Sequence, residues 1–384
     1  MDRLIAKYAA KLVDQKLADP DAPILGGRDA DIVWNQKVPL TDLLEGVFDK
    51  LNINSLLYCR PASPYAEIIE FLADKYKNTI YPQDTETRTF LHDLPIAPSL
   101  TESVIVENLK RRKIVILPDG AIATCGSVSP EETFVFFSSV CFSCYVKFMS
   151  DCLLDHRAKK LTLRAQQILK LALDKLPVFP KDLPLKTNEA VKTEAEIYAA
   201  MDAAGKLLVK HKLVDSYFGN ISFFNGGILH ISQTGSSLDE LAGHIDPCPI
   251  NGNSSVGITA SSELTAHLRI LKKTGARAIL HGHPKFAVVT SLDCEYRPCE
   301  NDGRCHLTCP HARSVEGIPI VPGEVGRGRY GLCNTVPQAM IGHKGAIVYG
   351  HGVFTCAPDN FNAALKNMFE IEQLCRDNYI KKVM

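Results

Sequence analysis

The stretch Ala278-Ile279-Leu280-His281-Gly282-His283-Pro284 joins an apolar run to two histidines that one glycine separates. The apolar residues predict a buried strand. Side chains at positions i and i+2 of a strand point to the same face of the sheet. His281 and His283 can therefore bind one divalent metal ion between them.

A third histidine and a carboxylate extend this pair into a candidate catalytic site. His351 lies between two glycines, and Glu263 follows the pair Ser261-Ser262. Three neutral imidazoles that leave a fourth position open are typical of catalytic zinc, and a nearby carboxylate can move protons. Taken singly, a histidine near a strand end is commonly a surface or core residue. A glutamate at a helix start can simply stabilise the helix dipole.

As a set, Ser-Ser-Glu, His-Gly-His-Pro and Gly-His-Gly resemble the motifs of the class II aldolase/adducin family. Its relatives include fuculose-phosphate and rhamnulose-phosphate aldolases and ribulose-phosphate 4-epimerases. The resemblance covers residues 187–384 well and residues 1–155 weakly. It implies an α/β fold, an α/β/α sandwich with a central, mostly antiparallel sheet.

The same resemblance implies roles for the site residues. Zn2+ or another divalent metal would be held by His281, His283 and His351, and Glu263 would be the catalytic acid/base. A glutamate at that position suits the aldolases, since the epimerases have aspartate there. Some relatives use a tail tyrosine as a proton donor across a subunit interface, and Tyr379 is a candidate for that role.

Three further segments predict a pocket for a substrate phosphate: 219–222, 232–235 and 261–262. Small hydroxyls, an amide and backbone N–H groups near a helix N-terminus suit a phosphate. In the family, the matching positions bind phosphate, and here they are Asn220, Thr234, Gly235, Ser261 and Ser262. The family's proline is Gln233 in this chain. These segments contain no lysine or arginine, so dipoles or a neighbouring chain must meet the charge. The alternative is ordinary turn and cap chemistry.

The first half repeats the order of motifs of the second half with few identities. The matching pairs of segments are 55–61 with 278–284, 93–98 with 317–322, and 114–125 with 346–356. Tyr58 and Arg60 stand at the positions of the paired histidines, and Asp119 or Gly120 stands opposite His351. We therefore predict a tandem of one degenerate copy, which cannot hold the metal, and one intact copy.

The predicted domains are residues 1–155 for the degenerate copy and 187–384 for the catalytic copy. A helix and a proline-rich linker, 156–186, would separate them, because three prolines in 177–184 favour an extended chain. Further helices are predicted over 129–154, 190–211, 262–273 and 358–379. Strands are predicted over 219–224 and 228–232, joined by the Asn225-Gly226 turn. Ser261 or Ser262 would be the N-cap of the helix 262–273.

A cysteine-rich insertion, residues 294–311, has no counterpart in the family pattern. It contains Cys294, Cys299, Cys305 and Cys309 together with two histidines. Such a set predicts a candidate second centre, either a structural zinc or an iron–sulfur cluster, although the spacing fits no standard motif. The alternatives are a disulfide pair or free thiols. The pair Cys141 and Cys144 is expected to be core packing.

Lysine plus arginine equals aspartate plus glutamate at 43 each. This balance gives no electrostatic reason to expect nucleic acid or an anionic membrane as partner. No stretch is expected to be long and apolar enough to span a bilayer, so we expect a cytoplasmic protein.

The combined expectation is a zinc-dependent aldolase, a lyase that cleaves a phosphorylated ketose or a related hydroxy-carbonyl compound by retro-aldol chemistry. An epimerase, dehydratase or decarboxylase on the same metal site is an alternative, because a fold does not specify its chemistry. A non-enzymatic, adducin-like interaction protein and a sensor that uses the cysteine cluster are others. Family relatives assemble as tetramers, and we expect a homo-oligomer, either a dimer or a tetramer.

Overall fold

The computed structural model describes residues 1–180, 191, 193–214, 217–252, 254–324 and 328–384. The chain divides into two compact units, Met1–Leu176 (unit 1) and Pro177–Met384 (unit 2). The helix of the predicted linker belongs to unit 1, where its apolar face is buried. Residues 181–186 of that linker lie outside the described residues.

Unit 1 is built from seven helices and seven strands. The helices are α1 (Asp2–Asp14), α2 (Leu40–Lys50), α3 (Tyr65–Tyr76), α4 (Thr85–Phe90), α5 (Glu102–Leu109), α6 (Pro130–Arg157) and α7 (Leu163–Asp174). The strands are β1 (Ile24–Arg28), β2 (Ile32–Trp34), β3 (Ser55–Cys59), β4 (Thr79–Ile80), β5 (Leu94–Pro95), β6 (Ile114–Ile116) and β7 (Ile122–Gly126).

Five of these strands form an antiparallel sheet in the order β2-β1-β3-β7-β6, and β4 and β5 form a separate pair. Helices α1 and α6 pack against the sheet, and α3 and α7 pack on α6. Helices α2 and α5 share a second core with the residues of β3 that alternate toward them, Leu56 and Tyr58. Unit 1 is therefore a sheet between two helical layers.

Helix α6 is long and apolar enough to cross a membrane by length and composition alone, so the expectation that no such stretch exists is wrong. Almost all of its apolar window is buried inside unit 1. Phe134, Phe137 and Phe148 are fully buried, as are Cys141 and Cys144. This helix has apolar residues on every side because the fold surrounds it, as in the core of a soluble domain.

In the described part of unit 2, the elements are as follows. The helices are α8 (Glu194–Lys210), α9 (Leu264–Thr274), α10 (Lys285–Leu292), α11 (Leu332–Ala339) and α12 (Phe361–Val383), with a short 3-10 turn at Val256–Ile258. The strands are β8 (Asn220–Asn225), β9 (Ile228–Ser232), β10 (Ile245–Pro249), β11 (Ala278–Gly282), β12 (Arg313–Val315), β13 (Ile318–Val321), β14 (Gly345–Val348) and β15 (Gly352–Ala357).

These strands form one sheet in the order β10-β9-β8-β11-β15-β14-β13-β12, antiparallel except between β13 and β14. Helices α8, α10 and α12 pack together on the sheet. Helices α9 and α11 share another core with Ile279 of β11 and Phe354 of β15. Because His281 is two residues from Ile279 on β11, it points to the α9 and α11 face.

The helix boundaries in unit 2 follow local hydrogen bonds. Helix α8 begins at Glu194 behind a capping box of Thr193 and Glu196, while residue 190 of the predicted helix lies outside the described residues. Helix α9 begins at Leu264, with Glu263 at the N-cap, so the predicted serine N-cap is wrong. The carbonyl of Ser261 already accepts the N–H of Leu264 in a preceding turn, which delays the helix.

The two sheets share a five-strand order. In each, a first hairpin (β1–β2 or β8–β9) pairs through its first strand with a later strand, which is β3 in unit 1 and, after β10, β11 in unit 2. That strand pairs with the last strand of a second hairpin (β6–β7 or β14–β15). In both units the central strand is therefore flanked by the same two partners in chain order.

Candidate metal centre

Three histidines from two parts of the unit 2 sheet converge at one point. Nε2 of His281 lies 3.0 Å from Nε2 of His283 and 3.1 Å from Nε2 of His351. All three are buried, with at most 3% of each side chain exposed. Among the residues that the structure describes, they form the group of potential ligands whose ligand atoms all lie within 4.8 Å of one another.

Glycines permit this close approach. His351 lies in the three-residue turn between β14 and β15, where Gly350 has a φ of +63°, a conformation that strongly favours glycine. A Cβ atom on Gly352 would lie 2.3 Å from the carbonyl oxygen of Gly282 and 2.9 Å from Cε1 of His281. The backbone of the turn therefore packs directly against the strand that bears the other two histidines.

The donor set fits a divalent metal ion. Nδ1 of His281 lies 3.1 Å from the carbonyl oxygen of Val353. A carbonyl can only accept, so Nδ1 has the proton and Nε2 presents a lone pair to the other two rings. Bonds of about 2.0–2.1 Å in a tetrahedral site separate two nitrogens by roughly 3.3 Å, close to the observed spacing. The residues present can hold such an ion without rearrangement.

Glu263 adds a buried carboxylate to the histidine cluster. Its Oε1 lies 3.2 Å from Nε2 of His351, and its Oε2 lies 3.6 Å from Nε2 of His281. Asn220 donates a hydrogen bond of 2.8 Å to Oε2. Burial raises the pKa of Glu263, but attraction to His281 and hydrogen bonds from His351 and Asn220 outweigh this, so the pKa is well below its usual value. The group is an ionised carboxylate at neutral pH.

The segments predicted to bind phosphate lie together beside Glu263. Thr234 Oγ1 donates to the carbonyl of Ala260 and accepts from the N–H of Ser262, at 3.0 and 2.9 Å. The N–H of Ser261 donates to the carbonyl of Ser232. Gly235 follows in a left-handed turn with φ of +72°. Asn220, the remaining member, points its amide to Glu263.

Gln233, which replaces the family's proline, ties this pocket to the neighbouring strand β10. Its Nε2 donates to Asp246 at 2.8 Å, and its backbone N–H donates to the carbonyl of His244. Thr259 donates to the other oxygen of Asp246 at 2.7 Å. Proline has no amide side chain and no backbone N–H, so it could form neither of the two Gln233 bonds. The loop at residue 233 is therefore held by contacts that the family's proline cannot make.

Sequence reasoning missed two groups that contact the site through other residues. The first is His267, which is fully buried behind Asn220 and bonds to Ser222, a residue of the segment 219–222 that was predicted to bind phosphate. The local signal is the spacing, because His267 follows Glu263 by four residues and so lies on the same face of α9. An apolar helix face with one histidine was the available clue.

The second missed residue is Glu372 of α12. Its two carboxylate oxygens accept the N–H groups of Phe286 and Ala287, at 3.0 and 2.9 Å. These belong to the first turn of α10, three residues after His283, where helix N–H groups need an acceptor. Glu372 is 86 residues away along the chain, so no local pattern could have identified it.

The cysteine insertion does not assemble a second centre in the structure. Cys294 and Cys305 are buried, and all thirteen cysteines are unbridged thiols, so the disulfide alternative is not observed. The Sγ of Cys305 is 3.5 Å from the carbonyl of Asn301, and the Sγ of Cys309 is 3.5 Å from that of His311. Within the described residues, no three of these thiols are close enough together to bind one ion.

Tyr379, the tail tyrosine, is buried within unit 2. Its side chain is 2% exposed, and its ring packs edge-on against Phe286, with centroids 5.2 Å apart. Both residues belong to the layer of α10 and α12, on the opposite side of the sheet from Glu263. The tail tyrosine is a core residue of unit 2.

Comparison with known proteins identifies the second half of the chain. The model of the family described as "Class II Aldolase and Adducin N-terminal domain" matches residues 199–379. An L-fuculose phosphate aldolase of Methanococcus maripaludis strain S2 is 28% identical over 178 residues, which cover 46% of this chain and 92% of the relative. The corresponding protein of strain C7 is 29% identical over 181 residues, with coverages of 45% and 91%.

Among solved structures, an L-fuculose-1-phosphate aldolase from Thermus thermophilus aligns with a TM-score of 0.40 and 23% identity. The alignment covers 50% of this chain and 96% of that one. The family match includes all three histidines and Glu263 and no residue of unit 1. Residues 199–379, all within unit 2, therefore match the class II aldolase and adducin family.

Proposed function

We propose that unit 2 is a metal-dependent lyase that cleaves a carbon–carbon bond in a phosphorylated ketose. The observation that supports this most directly is the convergence of three Nε2 atoms and one ionised carboxylate in a buried site. The L-fuculose phosphate aldolases among its relatives suggest a ketose 1-phosphate as substrate.

Zinc is the metal that we propose for His281, His283 and His351, because three imidazoles suit it and it has no redox chemistry of its own. When bound, it would supply a Lewis acid for the negative charge that develops on the substrate oxygens. The cysteine insertion would remain unmetallated. We propose a cytoplasmic location, which agrees with thirteen reduced cysteines.

Glu263 would move the proton. In a retro-aldol step, one carbon loses its hydroxyl proton and becomes an aldehyde, while the electron pair of the broken bond remains on the other carbon. That second carbon must then accept a proton. Glu263 is ionised and buried beside the histidines, so it can take up a proton and deliver it to carbon without competition from water.

The phosphate would bind at the pocket beside Glu263. Its members would be Asn220, Thr234, Gly235, Ser261 and Ser262. Thr234 and Ser262 already bond to each other, which makes the pocket rigid before the substrate arrives. Hydroxyls and N–H groups near the start of α9 can accommodate an anion through the helix dipole.

We propose that unit 1 is a degenerate copy of unit 2. The shared strand order supports this, and so does the register. Tyr58 of β3 pairs with strands on both sides as His281 of β11 does. Both last turns span three residues, from Leu117 to Ala121 and from Val348 to Gly352, so Gly120 rather than Asp119 corresponds to His351.

A degenerate copy could fill a subunit position in the assembly. Two chains would then form a ring of four similar domains with two active sites, half as many as in a tetramer of single-domain relatives. We expect a dimer by light scattering. A tetramer or a larger particle would count against this form of the proposal.

Metal content and product release test the function together. Protein purified without oxygen should contain about one zinc per chain and should release dihydroxyacetone phosphate from L-fuculose 1-phosphate. The variant His281→Gln should lose both properties, whereas His343→Gln, at an exposed histidine of the same unit, should retain both.

Other outcomes separate the alternatives. A zinc protein that converts ketose phosphates to epimers, without release of dihydroxyacetone phosphate, would replace the lyase with an epimerase. Protein that neither contains nor takes up metal would reject both and favour the adducin-like interaction protein. Iron and sulfide in the purified protein would instead indicate a cluster at the cysteine insertion.

A further inference from the structure

A chain of four buried side chains leads from Glu263 into the interior of unit 2. Nδ2 of Asn220 lies 2.8 Å from Oε2 of Glu263, and Oδ1 of Asn220 lies 2.5 Å from Nε2 of His267. Nδ1 of His267 then lies 2.6 Å from Oγ of Ser222. Neither His267 nor Ser222 is exposed at all. His267 lies outside the metal and phosphate groups described above, and the Ser222 hydroxyl contacts His267.

The directions of these hydrogen bonds can be assigned in turn, starting from the ionised carboxylate of Glu263. An ionised carboxylate can only accept, so the amide NH2 of Asn220 must face Glu263. The amide oxygen of Asn220 then faces His267, whose Nε2 must donate. Burial lowers the pKa of His267 to about 3, so the ring is neutral, and its Nδ1 has no proton. Ser222 therefore donates to that nitrogen.

We propose that His267 and Ser222 are positioning residues that hold the Asn220 amide in one orientation and so fix the carboxylate of Glu263. An amide rotated by half a turn would present its oxygen to the carboxylate, which is repulsive. The rotated amide would also direct its NH2 group at the N–H of His267. Both Glu263 and His267 therefore oppose the rotation. Oε2 is thereby committed to Asn220, and Oε1 is left as the atom that exchanges a proton. This inference rests on the proposed role of Glu263.

The four side chains are held accurately because they belong to two regular elements, β8 and the start of α9. Ser222 and Asn220 lie two residues apart on β8 and point to the same face, while His267 and Glu263 lie four residues apart on one face of α9. Two rigid elements therefore supply alternate members of the chain. Elements that are packed together hold such contacts more accurately than loops do.

The first test is the protonation state of the His267 ring, measured by nitrogen NMR on the full-length protein with labelled histidine. The signals are assigned by comparison with His267→Gln. We expect a neutral ring with its proton on Nε2 and none on Nδ1. A proton on Nδ1, or a doubly protonated ring at neutral pH, would reverse the chain and overturn the proposal whatever the activity of the enzyme.

The second test separates positioning from fold maintenance. Removal of a proton from carbon is the reverse of the delivery step, so wild-type protein should exchange deuterium from solvent into dihydroxyacetone phosphate. In His267→Leu, which has no donor, we expect kcat for this exchange to fall roughly 30-fold, with KM within about twofold. His267→Gln retains a donor at similar reach and should recover most of the rate.

A matched control is His230→Gln, at a buried histidine of β9 outside the chain. We expect the control and Ser222→Ala to keep full zinc content, as should both His267 variants. No exchange by wild-type protein would reject the proposed function itself. Deuterium exchange that is present in wild type and equally fast in His267→Leu would reject the positioning role alone. A variant whose KM rises while its kcat stays unchanged would reject it as well.

Discussion

Strand β3 of unit 1 lies between β1 and β7, and strand β11 of unit 2 lies between β8 and β15. The two strands occupy similar places in their sheets but have different side chains at their centres. His281 pairs with Asn220 and Phe354, whereas Tyr58 pairs with Ile24 and Ala123. Tyr58 donates a hydrogen bond to Asp119, in the turn that corresponds to the one containing His351. The two sheets thus show which groups the backbone arrangement requires and which it does not.

The two places differ in how their polar groups are paired. In unit 1, Tyr58 and Asp119 bond to each other, and Arg60 forms an ion pair with Glu70, so each group has a partner from the protein itself. In unit 2, three imidazole nitrogens face one another at about 3 Å. Such a set of ring nitrogens is a donor set that suits a divalent metal ion. The fold tolerates both solutions.

Removal of one histidine should have the largest effect. His281→Ala deletes the ligand that lies between the other two, so we expect loss of bound zinc and a fall in activity of about 1,000-fold or more. The corresponding change in unit 1, Tyr58→Ala, should leave the zinc content unchanged. Elemental analysis of both proteins, with the rate of dihydroxyacetone phosphate release, measures this. Full zinc content in His281→Ala would contradict the proposal that His281 binds the metal.

Neutralising the carboxylate should have the next largest effect. Glu263→Gln keeps the shape of the side chain and removes the proton acceptor, so we expect a loss in kcat of roughly 100- to 10,000-fold with the metal retained. Asp119→Asn in unit 1 should leave kcat unchanged, because that carboxylate serves only Tyr58 and its own turn. Steady-state kinetics on Glu263→Gln and Asp119→Asn measure the two values of kcat. Equal losses would mean that unit 1 participates in catalysis.

The buried carboxylate of Glu372 should make the stability of unit 2 depend on pH. Burial raises its pKa to about 7, against the opposing effects of the Phe286 and Ala287 N–H groups and Arg376. Because this lies above the value of 4.5 for the unfolded chain, the contribution to stability is complete below that pH and is lost as pH rises through 7. The shift corresponds to about 3 kcal/mol.

The variant Glu372→Gln cannot titrate and is the reference for this effect. The free energy of unfolding of wild type minus that of the variant should fall by about 3 kcal/mol between pH 4 and pH 8. Urea denaturation at several pH values measures the difference, and other titrating groups cancel in it. A difference that stays constant with pH would show that folding does not change the pKa of Glu372.

The smallest predicted effect is on the hydrogen bond between Tyr58 and Asp119 in unit 1. Tyr58→Phe removes the hydroxyl from Asp119, and we expect about 1 kcal/mol less stability of unit 1. Zinc content and activity should not change. Thermal unfolding with the wild type beside the variant measures this loss. A measurable drop in metal content would contradict the assignment of unit 1 as the copy without ligands.

Much of the candidate site could be predicted because its signals are local. Two histidines separated by one residue on a strand must share a face, and glycines on either side of His351 mark a tight turn. The strands β8 and β9 and the turn between them follow from alternation and from Asn225-Gly226. Such features depend on backbone geometry within a few residues.

Other features needed partners far along the chain. The start of α9 at Leu264 depends on a turn at Ser261 that is tied to Ser232. The role of α6 could not be read from its composition, because only burial by surrounding helices distinguishes a core helix from a membrane-spanning one. Helix propensity and hydropathy describe a segment alone, while these outcomes depend on what packs against it.

Local residue patterns were sufficient to predict that His281 and His283 share a face of one strand, and the resemblance to a known family supplied the expected layers and the expected role of Glu263. The tertiary structure alone revealed the polar chain behind Asn220, the carboxylate of Glu372 beneath α10, and the pairing of Tyr58 with Asp119 in unit 1. The physical reason is that a buried polar group needs a partner in space, and chain folding brings that partner from tens of residues away.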